Sequence, residues 1–358
     1  WDYPIGEFAF QPGTADVIAV AEQRQRHIVV HIVGATGEVH EVLTDMNPTA
    51  MSLAATTVPN LAFVSDAADK PPQIFAWTVG QRQAPRQLTR LNAERLAAIA
   101  MNPARTIGWI GADHDSIFGL LVTPPNFDAA RRYPLVVLIH GGPQGAWHDN
   151  FHGRWNAQLF AAPGYVVFMP NPRGSTGFGQ RITDEISRDW GGRVFEDIMR
   201  GVDAVARLPF VDSTRMAAAG GSYGGYMVNW INGHTTRFKA LISHAGVFNL
   251  EAMYGATEEL WFPEWEFGGA YWFDRTDYER WSPHRSVRNF RTPTLVIHGA
   301  LDYRVPDTEG MQMFTTLQRQ GVPSRFLYFP DEGHWIARPA NQRVWWGAVQ
   351  EWMAEYLR

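Results

Sequence analysis

The chain has 358 residues, enough for one large domain or two ordinary ones, and its 45% hydrophobic share suits a folded protein with a sizeable core. A net charge of −5 without a basic tract argues against nucleic acid as a partner, and no apolar run approaches the ~20 residues of a membrane helix. The absence of cysteine excludes disulfides, thiolate nucleophiles and Cys-zinc sites. The opening Trp1-Asp2-Tyr3-Pro4 shows neither an initiator methionine nor a signal peptide, which suggests a processed product or a fragment. The 15 tryptophans are read first as core and rim packing.

Residues 1–95 read as β. Val17–Ala21 and His27–Val33 are rich in β-branched residues, and Gly34–Gly37 turns the chain into a paired strand at Val39–Leu43. A second unit follows: a strand at Leu61–Ser65, a polar loop over Asp66–Pro72, then strands at Gln73–Val79 and Arg86–Thr89. The units repeat at about 45 residues, as propeller blades do, though two blades cannot close a ring.

From residue 96 the pattern changes. Thr106–Ile110 and Ile117–Val122 read as strands, and Pro134–Ile139 is a continuous apolar run of the kind buried on both faces of a sheet. Strands at Tyr165–Met169, Arg215–Ala219, Ala240–Ser243, Thr294–His298 and Ser324–Phe329 then alternate with helical stretches at Arg193–Ala206, after Ser222, at Thr308–Gln320 and at Val344–Leu357. Such alternation predicts a mostly parallel, doubly wound sheet covered on both faces, with its ligand site beyond the carboxyl ends of the strands.

The chemistry-bearing residues sit at those ends. Gly220-Gly221-Ser222-Tyr223-Gly224-Gly225 lies between a strand and a helix, the setting of a nucleophile elbow. Asp302 follows the Thr294–His298 strand and His334 follows the last one, giving the order Ser, Asp, His. An imidazole can take the serine proton and return it to a leaving group, while a carboxylate fixes its tautomer. Asp331 and Glu332 lie too near His334 in sequence to replace Asp302. The backbone N–H of Tyr223 and those of Gly141 and Gly142 are the expected oxyanion donors. His140 and His298 are expected to anchor their loops. His148, His152 and His244 show no metal-ligand spacing, so neither a metal nor another cofactor is expected.

Together with His140-Gly141-Gly142-Pro143 and Asn171-Pro172-Arg173-Gly174-Ser175-Thr176-Gly177-Phe178-Gly179, these motifs resemble the prolyl oligopeptidase family. The likeness is strong over about residues 96–358 and tilts, through Gly246–Leu260, toward the dipeptidyl-peptidase V and acylaminoacyl-peptidase branch. It implies an α/β-hydrolase domain at 96–358 behind a propeller remnant of about two blades at 1–95. It also implies a serine peptidase acting on short peptides through an acyl-enzyme. Release of N-terminal dipeptides is the first reading, with removal of N-blocked residues and carboxylester hydrolysis as alternatives. By the same resemblance Tyr223, Val247, Tyr254 and Val305 line the pocket for the residue before the cut, and Arg304 holds a substrate carbonyl or forms an ion pair. A free substrate amine would need carboxylates, for which Glu258 and Glu259, with Glu264 and Glu266, are the nearest cluster. The family's habit suggests a periplasmic or secreted protein, with the cytoplasm as the alternative, and leaves a homo-oligomer open.

Overall fold

The computed structural model describes residues 1–53 and 60–358. Two four-stranded antiparallel sheets come first. One contains β1 (Ile5–Phe10), β2 (Val17–Gln23), β3 (Arg26–Ile32) and β4 (Val39–Leu43). The other contains β5 (Pro48–Leu53), β6 (Asn60–Ala67), β7 (Lys70–Thr78) and β8 (Arg86–Gln87). The second sheet departs from the sequence reading in two places. Asp66–Pro72 is not a loop: β6 and β7 continue through it and turn at Ala68-Asp69. β5 lacks the β-branched run that marks its neighbours, yet it pairs along β6 from Pro48 to Leu53.

An eight-stranded sheet follows, in the order β16-β15-β14-β13-β11-β12-β10-β9. Its strands are β9 (Arg105–Ile110), β10 (Ser116–Val122), β11 (Tyr133–Ile139), β12 (Val166–Asn171), β13 (Val211–Gly221), β14 (Ala240–His244), β15 (Thr294–Gly299) and β16 (Ser324–Phe329). β9 and β10 run antiparallel at one edge, and β11 to β16 are parallel. Period-two alternation splits β11 between two cores. Leu135, Val137 and Ile139 join Val194, Ile198 and Tyr226 on one face, while Val136 and Leu138 join Trp345, Val349 and Met353 on the other. Helices Arg193–Ala206 and Tyr223–His234 cover the first face, and Pro339–Leu357 the second.

From β11 the chain crosses to β12 on one side and then to β13 on the other. This reversal opens a crevice at the carboxyl ends of β11 and β13, where a ligand can enter between diverging loops. The β units press against one wall of that crevice. Glu22 in β2 accepts from His148 Nε2 at 2.9 Å and from the Thr176 hydroxyl. Asp66 accepts from the Phe151 amide at 2.9 Å, and Asp149 from that of Ala68 at 3.0 Å.

A buried ion pair holds the opposite loop. Arg173 is fully buried; its Nε donates to Asp197 Oδ2 at 2.8 Å and its Nη1 to Glu185 at 2.7 Å. Burial opposes ionisation of Asp197 and pushes its carboxyl up, against the pull of Arg173.

Candidate active site

Ser222 stands between β13 and helix Tyr223–His234 at φ 59°, ψ −123°, a backbone conformation few side chains adopt. The turn has no room around it. A Cβ on Gly224 would lie 2.1 Å from the Ile139 carbonyl oxygen, and one on Gly141 only 3.2 Å from Ser222 Cβ. Glycine at these two positions therefore lets the loop after β11 close directly onto the serine. The Tyr223 amide opens the helix, where unpaired N–H groups and the helix dipole favour negative charge.

His140 fixes the loop after β11. A carbonyl can only accept, so the 2.8 Å contact with Gly141 O puts the proton on Nδ1, and Nε2 accepts from Ser175 Oγ at 2.9 Å. Burial drives this ring down to about 4, so it is neutral and anchors rather than titrates. Glu266 ties the same loop outward, accepting from Gln144 Nε2 at 2.8 Å and Trp190 Nε1 at 2.7 Å.

Asp302 and His334 meet as expected. Nδ1 of His334 donates to Asp302 Oδ2 at 2.7 Å, which leaves Nε2 free to accept a proton. The other carboxylate oxygen accepts from the Arg304 and Val305 amides at 3.1 and 2.9 Å. Burial resists ionisation of Asp302, but the hydrogen bonds from His298 and His334 outweigh it and hold the carboxyl below the usual range. His298 also donates from Nε2 to Val305 O at 2.8 Å, so it anchors this loop. The nearby acids are engaged elsewhere: Asp331 with Arg338 and Asn341, Glu332 with the Ala337 and Arg338 amides.

Ser222 and His334 line one cavity of about 950 Å³. The His334 ring is hydrogen-bonded to Asp302 and not to Ser222 Oγ, and such catalytic hydrogen bonds commonly tighten only with substrate bound. His244, at the end of β14, links the two residues instead. Its carbonyl accepts from the Ser222 amide at 2.9 Å. Its Nδ1 accepts from Trp345 Nε1 at 3.0 Å, so the proton sits on Nε2 and is donated to the His334 carbonyl at 3.2 Å. Burial pushes this ring down to about 3, keeping it neutral in that role. The sequence carries no signal of this link; its partners lie far apart in the chain and only the fold joins them.

Tyr223, Val247 and Val305 line the cavity, with Trp190 and Phe262 beside them. Tyr254 does not: it is buried against Tyr271, Trp272 and Tyr278, and its hydroxyl donates to Glu264. The acidic cluster also separates. Glu258 is exposed away from the cavity walls, Glu259 lines the cavity but pairs with Arg304 at 2.8 Å, and Glu266 is a buried part of the wall whose carboxylate is taken up by Gln144 and Trp190. Arg304 thus takes the ion-pair alternative. No group of three His, Cys, Asp or Glu among the described residues could hold a metal.

Glu309 supports the Val247 segment from behind, its Oε2 accepting from the Phe248 and Asn249 amides at 2.8 and 2.7 Å. Burial raises its carboxyl to about 7. The unfolded chain loses this proton near the ordinary glutamate value of 4.5 while the folded chain keeps it, so stability falls as pH rises from about 4.5 to 7. Glu309→Gln removes that titration. Its melting temperature relative to the parent should therefore rise between pH 5 and pH 8, measured by calorimetry, and a difference independent of pH would contradict the assignment.

The model of the prolyl oligopeptidase family matches residues 151–358, more than half of the chain and all three of Ser222, Asp302 and His334. The chain belongs to the prolyl oligopeptidase family. Among curated proteins it is 51% identical over 245 residues to a probable dipeptidyl-peptidase 5 of Aspergillus clavatus, covering 67% of this chain and 34% of that protein. It is 46% identical over 254 residues to dipeptidyl-peptidase 5 of Schizosaccharomyces pombe, covering 70% of this chain and 37% of that one. The matched stretch is therefore about a third of the length of these relatives. Among solved structures, an acylaminoacyl peptidase of Pyrococcus horikoshii superposes with a TM-score of 0.89 at 24% identity, over 100% of this chain and 56% of its own. Dipeptidyl peptidase 4 of Porphyromonas gingivalis gives 0.84 at 19% identity, over 100% and 50%. These likenesses establish the fold: an α/β-hydrolase sheet preceded by an all-β segment.

Proposed function

We propose that this chain carries the catalytic apparatus of a serine peptidase that releases dipeptides from the free N-termini of short peptides. The observation that carries the reading is the opening of Ser222 and the Asp302-held His334 onto one cavity, beside the glycine loop after β11. The likeness to dipeptidyl-peptidase 5 supports the choice of leaving fragment. Residues 1–95 are read as about two blades of a propeller, and 96–358 as the hydrolase domain.

In this reading Ser222 Oγ attacks the scissile carbonyl as its proton passes to His334 Nε2, and Asp302 stabilises the imidazolium. The oxyanion accepts from the Tyr223 amide and from the Gly141-Gly142 loop. One such donor is worth about 3–4 kcal/mol at the transition state. Collapse breaks the C–N bond, and His334 protonates the leaving amine. Water, activated by the same imidazole, then frees the acyl group. The apolar walls at Tyr223, Val247 and Val305 suit a small or apolar residue before the cut.

The test compares a dipeptide-aminomethylcoumarin with its N-acetyl form. Faster turnover of the free amine is expected, and preference for the acetylated substrate would favour removal of blocked residues instead. Ester turnover without amide turnover would point to a carboxylesterase.

His244 gives a further prediction. His244→Leu strands the Trp345 N–H and the His334 carbonyl, so the serine and imidazole lose their common tether. A misplacement of about 1 Å lowers rate by about 10²-fold, so kcat should fall on that scale with KM nearly unchanged. His244→Gln, which can both donate and accept, should recover much of the loss. Equal activity of the leucine variant and the parent would remove His244 from the mechanism.

A further inference from the structure

Trp335, next to His334 in the chain and 4.6 Å from it between ring centres, is about half exposed and carries a guanidinium from each of two loops. Arg304 lies 5.5 Å from the Trp335 ring centre and is neutralised by Glu259. Arg154 lies closer, at 4.3 Å, and is not neutralised: no carboxylate among the described residues is within ion-pair distance. Its side chain makes one long hydrogen bond, from Nη1 to the Trp335 carbonyl at 3.5 Å. The other N–H groups of the guanidinium have no protein acceptor among the described residues, and Arg154 lines the same cavity as Ser222. Burial works against its charge. The neighbouring His152 and His244 rings, held down to about 4 and about 3, are neutral and add no competing positive charge.

A half-buried guanidinium at a cavity wall with no carboxylate beside it gains from an anion that enters the cavity next to it. The stack on Trp335 holds the planar fork in place, and such a fork matches a carboxylate with two parallel N–H···O bonds. Its side of the cavity follows from the chemistry. His334 must protonate the leaving amine, so the leaving group lies against the imidazole and the tryptophan next to it. The acyl portion lies toward Tyr223, Val247 and Val305.

We propose that Arg154 forms a subsite for a carboxylate on the leaving-group side of the cleaved bond. This rests on the peptidase reading and narrows it to peptides with a carboxylate close behind the cut. The carboxylate is either the free C-terminus of a tripeptide or tetrapeptide or an acidic side chain.

The test uses Ala-Ala-Phe, Ala-Ala-Phe-amide and Ala-Ala-Glu-amide. Cleavage is followed by mass spectrometry, and binding to Ser222→Ala by calorimetry. A charge-assisted pair predicts that at least one carboxylate form binds about tenfold more tightly than Ala-Ala-Phe-amide. Preference for Ala-Ala-Phe identifies the C-terminus as the source, and preference for Ala-Ala-Glu-amide the side chain. In Ser222→Ala/Arg154→Met, which keeps an apolar stem on Trp335, the ratio should fall to about one, with Arg154→Lys intermediate. The comparison is a ratio, so a general loss of binding cancels. Equal binding of acid and amide forms, or a ratio that survives Arg154→Met, overturns the proposal without reference to turnover. Failure of the peptidase reading shows separately, as absence of cleavage of all three peptides by the parent protein.

Discussion

Asp302→Asn is expected to lower kcat by about 10⁴-fold while KM changes little. The reason is the direction of one hydrogen bond. Asp302 is an acceptor, so His334 must keep its proton on Nδ1 and present a bare Nε2 to the serine. An asparagine amide turned toward the ring donates, which selects the opposite tautomer and protonates the nitrogen that should act as base. The amide oxygen of the introduced side chain can still accept from the Arg304 and Val305 amides, so the loop and the cavity should persist. Steady-state kinetics on a free dipeptide-aminomethylcoumarin, with a thermal melt of the same preparation, separates the two effects. A loss smaller than tenfold in a folded variant would mean that Asp302 does not set the tautomer.

Arg173→Met should cost about 3–5 kcal/mol of stability, because it leaves Asp197 charged, fully buried and without its cation. Asp197 would still accept from the Ala112 amide at 2.7 Å, which lessens the penalty without removing it. The melting temperature should fall by roughly 4–7 °C. Arg173→Met/Asp197→Asn should regain part of the loss, since the double variant buries no unpaired charge. Denaturant unfolding of the parent, both single variants and the double variant gives the coupling directly. Additive effects would show that the arginine acts by packing alone. Activity should fall with Arg173→Met as well, because the Arg173–Gly177 loop holds Ser175 against His140 and so steadies the oxyanion loop.

The parts of the site legible in the sequence are those that the backbone itself constrains. A serine at positive φ between a buried strand and a helix needs glycine around it, so the elbow announces itself. Apolar runs buried on both faces mark the parallel strands just as directly. Asp302 is readable because it closes such a run, and His334 because it follows the last strand of the alternating pattern, although that edge strand is only partly buried. Apolar spacing starts the last helix at Val344, whereas it begins at Pro339; proline in a first helical turn is itself a start signal.

What could not be read depends on side chains that meet only after folding. Tyr254 follows the right strand for a pocket wall, yet its helix Leu250–Tyr254 turns it into an aromatic cluster. Glu264 and Glu266 are two apart, roughly 200° around the helix, so the first faces solvent and the second the protein. The link from Trp345 through His244 to His334, and the seat of Arg154 on Trp335, join separate loops and have no local signature.

The central claim is that the Ser222 hydroxyl is activated by His334 and becomes acylated. Intact-protein and peptide mass spectrometry after treatment with a fluorophosphonate tests it most directly. One adduct per chain, located on Ser222 and lost in both Ser222→Ala and His334→Ala, is the expected result. An unlabelled parent protein, or an adduct that persists at another residue in Ser222→Ala, would contradict the account.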